Sequence, residues 1–487
     1  MASNPIKSLA GQTAIYGMGT VVPRLLNWLL VPFYTYTLDK AHYGEVTELY
    51  AYVAFLLALL TYGMETSFFR FSQRHDTRKV LSTAQSSILV TSGIFLLLYG
   101  FFYENLAQLI RYEGEKEYVL FIGLIVALDA LTAIPFALLR KQNKAKRFAL
   151  LKIINVSVNI GLNVLFILII PEKALEISHY FFGDDSGLVV WILISNITAS
   201  LLSLILLIPQ MRQMRFKIDW ELLKPMLRYA LPILIVSLAG MINDVIDKIL
   251  IKFLVPDQTT AMEQLGVYGA NYKLAVLMTI FVQMFRYASE PFFFSHAENK
   301  ESPQLFAKVM NYFVLVGLLI FLGITLYLDI VIHVLGKAYR EGAAIVPIVL
   351  LANLFYGIFF NLSVWYKLTD KTQNGAVISI VGASITLFCN FLLIPRIGIM
   401  GAAWSHFACY FVMMSFSYLW SRKSDFVVPY NMLRIGIYFA IAMLIYFISQ
   451  QLTELSFALR MTLNTLMILA FAVSFFCYET KQSDVKV

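Results

Sequence analysis

Cysteine, histidine and charge are all scarce in this chain. The three cysteines, Cys389, Cys409 and Cys477, lie in apolar runs with no CxxC or metal-ligand spacing, which excludes a thiolate metal site or a CxxC redox motif. They read as small buried hydrophobes. The six histidines do not cluster, and no Walker loop, GxSxG or HExxH sequence occurs. Charged residues make up only 14% of 487, too few to keep a soluble domain of this length in solution. No segment between apolar runs is longer than about 25 residues, which leaves no room for a soluble catalytic domain. The chain therefore reads as neither an enzyme nor an ATPase, with no cofactor and no metal.

What fills the chain is apolar: 59% of residues are hydrophobic and the mean hydropathy is +0.72. The net charge of +8 does not point to nucleic acid, because the basic residues fall in short clusters between apolar runs, as in "RKQNKAKR" (140–147) and "MRQMRFK" (211–217). Such clusters mark loops held on the cytoplasmic side of a membrane. A crossing helix needs about 20 largely apolar residues. That template predicts an all-α integral membrane protein with fourteen spans: 14–36, 46–69, 80–103, 118–139, 149–170, 188–209, 228–254, 265–286, 308–329, 344–366, 373–394, 399–420, 431–450 and 458–478. The first run is interrupted by Pro23, Arg24 and Pro32 and reads as a retained span rather than a cleaved signal. With the N-terminus inside, cytoplasmic segments hold 26 Lys and Arg and outer loops hold 8, which predicts both termini in the cytoplasm.

The chain also repeats itself. "YGEVTELYAYVAFLL" (43–57) resembles "LGVYGANYKLAVLMT" (265–279), and "LNVLFILII" (162–170) resembles "CNFLLIPRIGIMGAA" (389–403), at nearly the same offset of six spans. The pattern predicts a six-helix lobe over 1–215, a second over 216–424 and an extra helical pair over 425–487. Repeats of this kind place the substrate path of a transporter between them.

Charges inside spans cost several kcal/mol and are functional candidates by default. Arg24 lies near the middle of the first span, too deep to snorkel, flanked by prolines that bend the helix and free its carbonyls. The seventh span reads "ALPILIVSLAGMINDVIDKILIKFL" (230–254). There Asp244, Lys248 and Lys252 share one face at four-residue spacing, and Asn243 and Asp247 form an adjoining stripe. The pattern predicts a helix lining a polar cavity, with Leu238, Met241, Val245 and Leu250 left for packing. The Asp244–Lys248 pair also reads as a purely structural ion pair, and Lys252 lies close enough to the outer face to snorkel. Lys273 in the eighth span either snorkels or faces the same cavity. Asn155, Asn159 and Asn163 repeat along the fifth span, above Lys152, in the manner of interhelical hydrogen bonding. Glu65 and Arg70 close the second span and Arg286 and Glu290 the eighth; they read as interfacial anchors or as an inner gate.

Fourteen spans as six, six and two, with "VPRLLNWLLVPFYTYTL", "YGEVTELYAYVAFL", "MFRYASEPFFF" (284–294) and "LLIPRIGIMGAAWSH" (392–406), resemble the bacterial polysaccharide-biosynthesis flippases. These form part of the multidrug/oligosaccharidyl-lipid/polysaccharide exporter superfamily. The resemblance implies a cytoplasmic-membrane protein that moves undecaprenyl-pyrophosphate-linked glycan to the outer leaflet by alternating access. The glycan serves cell-surface polysaccharide such as O-antigen, capsule or exopolysaccharide, and glycan polymerase or assembly proteins are the implied partners. It makes Arg24, Asn243, Asp244, Asp247, Lys248 and Lys273 the cavity residues, with Arg24 matching a first-helix arginine of related lipid-linked precursor flippases. Asp244 and Asp247 offset the basic residues, so they become candidates for binding a coupling proton or sodium ion; the membrane potential is the other drive. Two other readings stand beside it: a cation-coupled multidrug antiporter of the same superfamily, and a non-transporting scaffold of a glycan-synthesis complex.

Overall fold

The computed structural model describes residues 5–183, 187–296, 302–369 and 371–484. It is 87% helical, with no strand among the described residues. The reason is general: hydrocarbon offers backbone groups no partners, so each apolar run satisfies its own N–H and C=O groups as a helix. Twelve described helices are long and apolar enough to cross a membrane, and a bent pair makes a thirteenth candidate. The predicted first span lies within a single helix, α1 (Pro5–Thr37).

The chain divides into two compact units, Met1–Gly266 and Val267–Val487. The first holds α2 (Lys40–Thr61), α3 (Met64–Phe71), α4 (Thr77–Leu109), α5 (Lys116–Lys141), α6 (Ala145–Val164), α7 (Pro171–Phe182), α8 (Val189–Leu206), the short α9 (Ile208–Met211) and α10 (Trp220–Leu254). Helix α1 lies along α6, which also packs on α8; α5 is enclosed by α4, α8 and α2; α10 packs on α2 and α3. Helix α10, which the sequence repeat assigns to the second lobe, thus packs within the first unit.

Start and stop signals are local. Asp39 caps α2, accepting from the His42 backbone N–H at 2.9 Å and meeting the His42 ring at 2.8 Å. Asp76 and Asp219 cap α4 and α10 in the same way. The predicted second span is not one straight helix. It breaks between α2 and α3, where Tyr62 and Gly63 both take positive φ. Gly63 is required there, since a Cβ would press on the Ala230 carbonyl of α10. A second close approach lies within the first unit: Gly44 on α2 meets Met262 and Gly266 at the start of α11 (Ala261–Leu274), with no room for a side chain on either glycine. Lys40–Glu263, at 3.0 Å, flanks this crossing. Helix α7 was not predicted; Trp191 of α8 pins it by donating to the Ala174 carbonyl at 2.9 Å and to Ser178 Oγ at 2.8 Å.

In the second unit, the predicted eighth span is also broken, bending by 49° between α11 and α12 (Val276–Ser295). Then follow α13 (Ser302–Thr325), the short α14 (Leu328–Val331), α15 (Ile345–Leu362), α16 (Val364–Leu368), α17 (Thr372–Ile397), α18 (Ile399–Ser421), α19 (Met432–Gln451) and α20 (Phe457–Asp484). Helices α15 and α17 flank α18, and α13 packs on α15, α19 and α20. The last two helices are tied to α13 at both ends. Glu479 is met by Arg434 and Asn311, each at 3.2 Å, and by Tyr438. At the other end, Asn464 donates to the Leu326 carbonyl at 2.7 Å.

Candidate functional site

Helix α10 brings the sequence's polar stripe into the first unit. Ala239, Asn243, Asp247 and Ile251 are buried along one face, at the four-residue spacing of neighbouring turns. The face expected to pack, with Leu238, Met241, Val245 and Leu250, is only half-buried. The expectation is therefore corrected: part of the polar stripe packs into protein.

Lys248 also meets the buried acid of the stripe. The Lys248 ammonium lies 3.1 Å from Asp247 Oδ1 and donates to the backbone carbonyl of Asp244 at 2.8 Å. The lysine stem folds back over the preceding turn toward the buried stripe, where Asp247 lies. Asp244 itself stays exposed. Asp247 is 3% exposed, so this pair is held out of solvent.

Lys252 does not snorkel. It is 6% exposed, 3.2 Å from Glu48 Oε2 on α2 and 3.5 Å above the Tyr112 ring. Its ammonium donates to the Ile110 carbonyl at 2.7 Å and to that of Arg111 at 3.3 Å, both at the C-terminal end of α4, where a cation is favoured. Glu48 is fully buried and accepts from Tyr112 at 2.7 Å and Tyr52 at 3.2 Å. A long side chain reaching protein acceptors gains more than one reaching water when those acceptors surround a buried carboxylate. Glu48 escaped the sequence reading, which singled out acids only in the seventh span and at the inner ends of the second and eighth. The Glu48/Tyr52 spacing of four was the available signal.

The other candidates separate by unit. Arg24 is exposed, about 20 Å along α1 from its far end at helical rise. It makes no hydrogen bond or ion pair with the described residues. The asparagines of α6 serve as interhelical bonds: Asn163 accepts from Tyr34 at 2.8 Å, and Asn155 donates to Ser203 at 2.9 Å. Glu65 pairs with Arg140, and the Arg70 guanidinium lies 4.1 Å over the Tyr229 ring. In the second unit, Arg286 sits 4.8 Å over Phe360, and Glu290 pairs with Lys367 at 2.7 Å. Lys273 is exposed in the last turn of α11, just before the bend. Among the described residues no group of acids, histidines or cysteines could hold a metal ion.

Residues 9–297 match the family described as "Polysaccharide biosynthesis protein". The lipid II flippase MurJ in an inward closed conformation superimposes with a TM-score of 0.73 at 14% identity, covering 95% of this chain and 99% of that one. An inward-facing multidrug resistance MATE family transporter of the MOP superfamily gives 0.63 at 14% identity, over 84% of this chain and 97% of that one. An outward-facing one gives 0.56 at 13%, over 87% and 96%. Likeness at these identities shows a shared fold. A comparison with curated sequences finds no match.

Proposed function

The chain belongs to the polysaccharide biosynthesis protein family, within the multidrug/oligosaccharidyl-lipid/polysaccharide exporter superfamily, and on that premise we propose that it is a flippase for lipid-linked glycan. It carries undecaprenyl-pyrophosphate-linked oligosaccharide from the inner to the outer leaflet of a bacterial cytoplasmic membrane, for surface polysaccharide, by alternating access. The observation that carries this reading is the polar, charged interior of a multi-pass membrane protein of this family, with Arg24 exposed deep within α1.

In this reading Arg24 holds the pyrophosphate. A guanidinium in a low-dielectric cavity offers paired donors to a phosphate, and Lys248 adds positive charge along α10. Asp247 already holds Lys248, so it has less freedom to bind a drug cation or a coupling ion, which favours the flippase over the multidrug antiporter. Moving negative charge outward across an inside-negative membrane gains about 2.3 kcal/mol per charge per 100 mV, so the potential itself can drive export. No cofactor takes part; the partners are the bilayer, the lipid-linked substrate and glycan polymerase or assembly proteins.

The test is transfer of a fluorescent undecaprenyl-pyrophosphate oligosaccharide between leaflets of proteoliposomes, with and without an imposed potential. Potential-sensitive transfer that disappears in Arg24→Gln, at normal protein levels, is the expected result. Wild-type transfer no faster than in empty liposomes, across several glycans, would overturn the proposal.

A further inference from the structure

A second intramembrane acid lies in the first unit, away from α10. Asp129 sits midway along α5, about 18–20 Å from either end at 1.5 Å per residue. Its Oδ1 accepts from Ser200 Oγ of α8 at 2.7 Å. Ser200 lies 3.4 Å from Asn196 Oδ1, and Asn196 donates to the Tyr50 hydroxyl of α2 at 2.9 Å. Lys152 of α6 acts on Asp129 through its charge but forms no ion pair with it within 4 Å; its ammonium lies 4.1 Å over the Phe136 ring. Oδ2 takes no hydrogen bond from any described residue, and the side chain is half-buried, so this oxygen remains open.

A structural knot between α5 and α8 would not need a charge at this depth. A Ser–Asn bond joins helices at far lower cost than a mid-membrane carboxylate. What the carboxylate adds is a site able to change charge. We propose that Asp129 is a proton-binding site of the transport cycle, taking one proton from water at Oδ2 and releasing it in another conformation. The inference rests on the transport reading above and assigns coupling to α5 rather than to Asp244 or Asp247.

Geometry favours a proton over sodium. Ser200 touches Oδ1 directly, leaving no gap for an ion between them, and the Asn196 amide is turned to Tyr50. The Lys152 charge already offsets the carboxylate across the gap between α5 and α6, so an added sodium ion would be left with net positive charge and few oxygens. A proton needs only the open oxygen. While Asp129 is ionised it draws the Lys152 charge toward α5; once protonated it releases that pull, which changes how α5 and α6 attract each other. Lys152 and Tyr50 are the titratable groups facing Asp129. Helix α8 presents neutral Ser200 and Asn196, and among the described residues Lys152 supplies the charge that acts on Asp129.

The experiment combines two readouts on the full-length protein. In proteoliposomes, wild-type transfer of the labelled lipid-linked oligosaccharide should respond to an imposed pH gradient. Asp129→Asn should keep potential-driven transfer but lose that response, with Asp129→Glu restoring it. Lys152→Met should displace the pH profile in the wild-type background and leave the flat profile of Asp129→Asn unchanged. Infrared difference spectra of the purified protein between mildly acidic and mildly alkaline buffer should show a protonated-carboxyl band that Asp129→Asn removes. A pH-gradient response or carboxyl band unchanged in Asp129→Asn would overturn the assignment. If wild-type protein moves no lipid-linked substrate, the transport reading fails on that count, and the infrared band still decides whether Asp129 takes a proton.

Discussion

Replacing Lys252 with methionine tests how the first unit holds α10. The substitution keeps most of the stem volume but removes an ammonium that meets Glu48 and two α4 carbonyls. Glu48 would then remain fully buried with only the Tyr112 and Tyr52 hydroxyls. Breaking one partner of a buried pair costs about 3–5 kcal/mol, because the remaining charge stays desolvated. That is roughly a 10²–10⁴-fold change in the folding equilibrium. Glu48→Gln alone should cost a similar amount, since it strands the lysine. The double variant leaves no charge behind and should recover about 1–3 kcal/mol relative to the sum of the singles. The assay is unfolding of the purified chain in mixed micelles, titrated with denaturing detergent and followed by circular dichroism. A Lys252→Met protein as stable as wild type, or a double variant showing the full sum, would refute the claim that this pair holds α10 to α2.

Three further outcomes are expected. Gly44→Val should destabilise the crossing with the start of α11 by about 1–3 kcal/mol, as overpacking does, seen as a lower unfolding midpoint; Gly93→Val on α4, where nothing lies near, is the control. Trp191→Phe should free α7, read as faster protease cleavage within 171–182, because the indole N–H that reaches both Ala174 and Ser178 is lost. At the start of α2, burial pushes the Asp39 carboxyl up, but the His42 backbone and ring outweigh this and hold it below its ordinary value. Its capping contribution is therefore present above the unfolded pKa and lost as pH falls through the folded one. Asp39→Ala should cost about 1 kcal/mol at neutral pH, whereas Asp39→Asn should keep the cap and lose less stability than wild type on acidification.

The helices were legible because a bilayer fixes their length and forces their backbone to satisfy itself. The family was legible through "VPRLLNWLLVPFYTYTL" and "YGEVTELYAYVAFL", whose matched region includes α1 and α2. The breaks were harder to see. Gly63 gives the α2–α3 break a local signal, but Ala275 and its neighbours carry no helix breaker at the α11–α12 bend. Asp129 was missed because a single acid amid twenty apolar residues barely alters a hydropathy window, and Glu48 because it opens a span where polar residues are ordinary.

By itself, the sequence determined that the chain forms apolar membrane helices, which family it belongs to and which residues share a helical face. Those properties depend on nearest neighbours along the chain and on the thickness of the solvent slab. Only the tertiary structure decided that Lys248 pairs with Asp247, that Lys252 turns inward to Glu48 and that Asp129 meets Ser200. Helical spacing fixes the direction of a side chain but not the helix standing opposite, and a charge takes whichever acceptor that neighbour brings within reach.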